Sequence, residues 1–72
     1  MENPAIKKYA DLSEQDAIAE IIKNDDVIAL RYLVDNDYIN SSNFDKTYFI
    51  PAVKAKAFKC LNILREFENY MF

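Results

Sequence analysis

Ile18-Ala19-Glu20-Ile21-Ile22-Lys23-Asn24-Asp25-Asp26-Val27-Ile28-Ala29-Leu30-Arg31-Tyr32-Leu33 and Phe49-Ile50-Pro51-Ala52-Val53-Lys54-Ala55-Lys56-Ala57-Phe58-Lys59-Cys60-Leu61-Asn62-Ile63-Leu64 are one pattern written twice, 31 residues apart. In that register Ile18 meets Phe49, Ile21 meets Ala52, Ile22 meets Val53 and Lys23 meets Lys54. Val27 then meets Phe58, Leu30 meets Leu61 and Leu33 meets Leu64. Apolar residues spaced by three and four mark one face of a helix. Each copy therefore reads as helix, short turn, helix, and the fold class is all-α, built from two repeated units.

The flanking residues supply starts and stops. Ser13, with Asp16 three residues on, reads as the N-cap of the first long helix. Asn24-Asp25-Asp26 interrupts the pattern and caps the next helix. Pro4 to Ala10 reads as a short opening helical piece, with Ile6 and Tyr9 on one side. From Asp35 to Lys46 the spacing breaks, and Asp35-Asn36-Asp37-Tyr38 and Asn40-Ser41-Ser42-Asn43 are turn formers. Helical spacing resumes after Thr47. Because a residue before proline is pushed toward an extended backbone, the third helix is expected to begin late, near Ile50 or Pro51. The chain closes on Glu68-Asn69-Tyr70-Met71-Phe72, an apolar run.

These units resemble ankyrin repeats. Thr47-Tyr48-Phe49-Ile50-Pro51-Ala52 stands where that family has Thr-Pro-Leu-His-x-Ala, and Phe58-Lys59-Cys60-Leu61-Asn62-Ile63-Leu64 looks like its second helix. In the first unit Asn24 to Leu33 is similar to the family's Asn-Gly-His-Leu-Glu-Val-Val-Lys-Leu-Leu, and Tyr38-Ile39-Asn40 looks like the entry to its hairpin. The resemblance implies a stack of two divergent repeats in one domain. Residues 1–12 would form an N-terminal cap, 13–43 repeat one, and 44–72 repeat two with a C-terminal tail. The family's glycines are replaced by Asp25 and Asp37 in the first unit and by Lys56 and Glu68 in the second. Asp tolerates the left-handed conformation moderately well, whereas Lys and Glu are not expected to adopt it.

Composition narrows the function. The 72 residues carry a net charge of −3, which argues against direct nucleic-acid binding, where a basic face is usual. Glycine and histidine are both absent. Phosphate-cradling glycine loops, His general bases and zinc–His sites are therefore excluded. No paired carboxylates of catalytic quality stand out, and an enzyme is not expected. The acidic group Asp25, Asp26, Asp35 and Asp37 lacks the glycine and bidentate glutamate of a calcium loop, so neither metal nor cofactor is expected. Cys60 reads as a small buried hydrophobe in a reducing, cytoplasmic setting. No signal peptide and no membrane span are read. Ile, Asn, Lys, Tyr and Phe make up 32 of the 72 residues, a bias that fits an AT-rich genome.

The function expected from the resemblance is non-enzymatic protein–protein interaction, by which the chain occludes or tethers a partner. Small size and AT-rich coding point to a phage, viral or symbiont inhibitor of a host component. The family binds through hairpin tips and a concave face, which nominates Tyr38, Phe44, Asp45, Lys46 and Tyr48 in the link, and Lys23 and Lys54 at the ends of the first helices. On this reading Phe44→Ala or Tyr48→Ala would lose binding with the fold intact. Phe67, Tyr70, Met71 and Phe72 supply apolar anchoring, to the chain itself, to the target, or to a second copy in a homodimer. Two other classes stay open: a small acidic DNA mimic that inhibits a nucleic-acid enzyme, and a structural homo-oligomer subunit.

Overall fold

The computed structural model describes residues 4–71, with Met71 described by its backbone alone; Met1–Asn3 and Phe72 lie outside it. The protein is all-α. Four helices follow one another, α1 (Glu14–Lys23), α2 (Val27–Asp35), α3 (Ile50–Ala55) and α4 (Phe58–Met71), and there is no strand among the described residues. A 3-10 turn, Lys7–Tyr9, precedes α1, and a π-helical turn, Phe44–Phe49, runs directly into α3.

The helix starts follow from side-chain oxygens that accept otherwise unpaired backbone N–H groups. The N–H of Asp16 donates to Ser13 Oγ at 3.2 Å, and the N–H of Ala29 donates to Asp26 Oδ1 at 3.2 Å. Glu14 and Asp16 in the first turn of α1 and Lys23 in its last also suit the helix dipole.

The helix ends share one device. After α1, the N–H of Asp26 donates to the Ile21 carbonyl and that of Asp25 to the Ile22 carbonyl. After α2, Tyr38 donates to Leu33 and Asp37 to Val34; after α3, Ala57 donates to Ala52 and Lys56 to Val53. This paired hydrogen-bond pattern places one residue in the left-handed region, usually glycine. Here those residues are Asp25 (φ 53°), Asp37 (φ 62°) and Lys56 (φ 57°). The expectation that lysine would not adopt this conformation is corrected at Lys56. Two backbone hydrogen bonds and the packing of α3 on α4 hold it there. Glu68, by contrast, stays inside α4, which continues to Met71.

The expected break at Asp35–Lys46 is shorter than its composition suggests. Asn40 and Asn43 build a compact turn: Asn40 Oδ1 accepts the N–H groups of Ser42 and Asn43, and Asn43 Oδ1 accepts that of Asn40 at 2.8 Å. The helical path then starts at Phe44, whose N–H donates to the Asn40 carbonyl at 2.9 Å. The wide turn that follows has a clear neighbour. Pro51 has no N–H, and its ring crowds the carbonyl four residues back, so the chain loosens just ahead of it. There the Ile50 N–H reaches five residues back, to the Asp45 carbonyl. The regular α-helical turn is assigned from Ile50, but the expected extended residue before the proline is not there: Phe49 and Ile50 are both right-handed helical, and the helix runs on from Phe44.

α1 packs on α2 and α3 on α4, forming two helical hairpins. α1 also packs on α3 and α2 on α4, so the hairpins stack in parallel register. The core between and within them comprises Ile18, Ile21, Ile22, Ala29, Leu30, Leu33, Tyr48, Ala52, Cys60 and Leu64, joined by Tyr9 from the opening segment and by Ile39 and Phe44 from the link. The radius of gyration, 11.2 Å, is about the value of a fully compacted chain of this length.

Candidate functional site

Two acidic residues in the α1–α2 turn hold the hairpins and the opening segment together. Asp25 reaches across to the second hairpin, where Oδ1 accepts the Cys60 N–H at 2.9 Å and Oδ2 accepts the Lys59 N–H at 3.3 Å. Those are free donors in the first turn of α4. The residue that should cap that helix, Ala57, has no side-chain acceptor, and Asp25 supplies one from 35 residues away. Asp26 caps α2 and accepts the Tyr9 hydroxyl at 2.7 Å, while Lys8 Nζ lies 3.1 Å from its Oδ2. Burial works against ionisation of both carboxyls. Hydrogen bonds from Cys60 and Lys59 at Asp25, and from Tyr9, Ala29 and Lys8 at Asp26, outweigh it, so both lie below the ordinary carboxylate value.

That depression fixes the sign of a pH effect. The stabilisation is complete well above the unfolded value of 3.8 and is lost as pH falls through the lower folded values. Thermal unfolding followed by circular dichroism is therefore expected to show a melting temperature that falls steadily below about pH 4. Asp25→Asn keeps an acceptor and tolerates the left-handed backbone, and should shrink that acid loss while staying folded at pH 7. An unchanged acid limb in Asp25→Asn would exclude Asp25 as a source of it.

The residues nominated from the sequence fall into three groups. Phe44 and Tyr48 are not surface contacts: they are 3% and 0% exposed. Phe44 lies between Phe49 and Phe67, with ring centroids 5.7 and 6.1 Å away and nearly parallel planes. Their polar sequence neighbours face solvent, and the spacing of Phe44, Tyr48 and Ala52 turns all three inward. Phe67 is half-buried by the same stack, so this part of the tail packs on the chain itself. Asp45, Lys46, Lys23, Lys54 and Tyr70 are exposed, Tyr70 at 91%. Tyr38 is partly exposed, its ring tilted against Tyr32 at 6.4 Å. Tyr38 lines a groove of about 360 Å³ with Ile6, Leu12, Ala17 and Tyr32. The Met71 side chain and Phe72 lie outside the described residues.

The structure brings forward a different set. In the repeat register, Ile21 and Ala52, Ala29 and Cys60, and Leu33 and Leu64 are buried in both units; these positions seal each hairpin. The other apolar positions diverge. Ile22 is 1% exposed but Val53 is 50% exposed; Val27 is half-buried but Phe58 is 67% exposed. Leu30 is fully buried and Leu61 only partly. In the first hairpin this face is covered by the second hairpin. In the second hairpin the same face, with Ile50 beside it, is open. Lys54, Lys56 and Lys59 are its neighbours in sequence, all exposed; none forms an ion pair among the described residues, although the charge of Lys59 acts on the Asp25 carboxylate. The repeat alignment names the positions, because an apolar position that a neighbouring unit buries is exposed where no unit packs on it.

Cys60 is a buried free thiol, pushed up to about 12 by burial and by the nearby Asp25 carboxylate, which keeps it protonated and unreactive at neutral pH. Among the described residues no group of three or more Cys, Asp or Glu side chains is placed to hold a metal ion. No helix among them is long and apolar enough to cross a membrane. Comparison with known protein families, with curated proteins and with solved structures gives no significant match for this chain.

Proposed function

We propose that the protein is a non-enzymatic binding module that seats another protein on the open face of its second hairpin, and acts by occluding or tethering that partner. The observation that carries this reading is the contrast between equivalent positions. Ile22 is 1% exposed and Val27 half-buried, in a hairpin packed against a second one, whereas Val53 and Phe58 are 50% and 67% exposed. Contiguous exposed apolar side chains rimmed by polar ones are a common feature of protein interaction sites. We also read the two hairpins as divergent ankyrin-like repeats. Support comes from Asp25, Asp37 and Lys56, which adopt the left-handed backbone at positions where that family carries glycine.

The test is recovery of a partner from an extract of the source cells by tagged full-length chain and by Phe58→Asp. Phe58 is 67% exposed at the start of α4, so loss of its ring removes little packing; circular dichroism checks that the variant stays folded beside the Asp25 cap. A protein bound by the wild type and at least ten-fold depleted on Phe58→Asp supports the reading. Equal recovery by both chains, or specific recovery of nothing, contradicts it.

A further inference from the structure

The open face has a chemical character of its own. Residues 46–65 contain five basic side chains (Lys46, Lys54, Lys56, Lys59 and Arg65) and no acidic one. Residues 1–45 contain ten of the twelve acidic side chains. The net charge of −3 therefore hides a strong segregation, and the apolar face of Ile50, Val53 and Phe58 sits wholly inside the basic segment. From this, resting on the binding-module reading above, we propose that the face receives an acidic amphipathic helix of a partner protein. Apolar side chains of that helix would cover Val53, Phe58 and Leu61, and its carboxylates would meet Lys54, Lys56 and Lys59.

Three observations select this occupant. First, the equivalent face of the first hairpin is covered by helices, α3 and α4, so the surface is shaped to take a helix. Second, the occupant is not a further unit of the same kind. Within the chain, Asp25 receives the N-terminus of α4; its counterpart in the second unit is Lys56, in the same left-handed turn. An ammonium there repels the positive end of a helix dipole and attracts carboxylates or a helix C-terminus. Third, a second copy joined face to face would set the three lysines of one chain against those of the other. Like charges so placed oppose association.

The experiment titrates isotope-labelled full-length chain with two synthetic peptides of 18 residues that share one leucine stripe. One carries glutamates on both flanks of the stripe, the other lysines. Backbone amide shifts and calorimetry give the site and the affinity. The Glu-flanked peptide is expected to bind about ten-fold or more tightly than its twin, since three exposed charge pairs contribute at that level. It should perturb residues 50–61, weaken several-fold between 50 and 300 mM salt, and lose about ten-fold on Phe58→Asp. Equal affinity for both peptides would overturn the acidic assignment and leave the binding-module reading standing. Binding of neither peptide, stronger binding to vesicles containing phosphatidylserine, or a concentration-dependent dimer in light scattering would each overturn it as well. The extract experiment with Phe58→Asp still judges the module reading separately.

Discussion

Tyr48→Ala is expected to destabilise the protein by about 3–5 kcal/mol, the usual cost of removing a fully buried aromatic side chain. A chain of this size has a total stability of only about 4–11 kcal/mol, so the variant should lose a large share of it and unfold at much lower urea than the wild type. Tyr48 is 0% exposed. It lies in the π-helical turn that packs on α1, α3 and α4, so its loss opens a void at the junction of both hairpins. The hydroxyl makes the companion variant informative. Tyr48 Oη is buried and has no hydrogen-bond partner among the described residues, and burial pushes its ionisation up to about 12. An unpaired buried hydroxyl costs about 1–3 kcal/mol. Tyr48→Phe should therefore be as stable as the wild type or more so by roughly 1 kcal/mol. Urea unfolding of the three proteins checks both statements. A fully folded Tyr48→Ala with native stability would mean that the ring is a surface group after all.

Tyr48 also shows where sequence reading stops. The caps at Ser13 and Asp26 follow from local spacing, and both hold. The two hairpins follow from the 31-residue register. Phe44, Tyr48 and Ala52 do stand four residues apart, but the polar Asp45 and Lys46 and the proline at 51 mask that spacing in the sequence. The π-helical turn carries it through to α3, and all three side chains pack inward. The Asp25 cap on α4 is equally invisible, since its two partners are 34 and 35 residues away and no periodicity links them. The open face is an intermediate case. Its residues stand in the repeat, but the alignment makes Val53 look as buried as Ile22. Only the packing shows which copy lacks a neighbour. Lys56 completes the lesson: helix ends demanded a left-handed residue there, and the tertiary fold imposed it on a side chain that does not favour it.

Ile22 and Val53 share a repeat position and differ sharply in cover, at 1% and 50% exposed. Ile22→Ala removes a side chain packed beneath the second hairpin and is expected to cost about 2–5 kcal/mol. Val53→Ala removes a half-exposed side chain from a helix, where alanine is the better helix former, and should change stability by no more than about 0.5 kcal/mol. For a chain of this length 1 kcal/mol corresponds to about 4–8 °C. The most direct measurement is therefore the melting temperature of wild type, Ile22→Ala and Val53→Ala at one concentration and pH. The account predicts a fall of about 10 °C or more for Ile22→Ala and at most a few degrees for Val53→Ala. Comparable losses in both variants would mean that the face around Val53 and Phe58 is already covered in the isolated chain, and would contradict its assignment as an open docking surface.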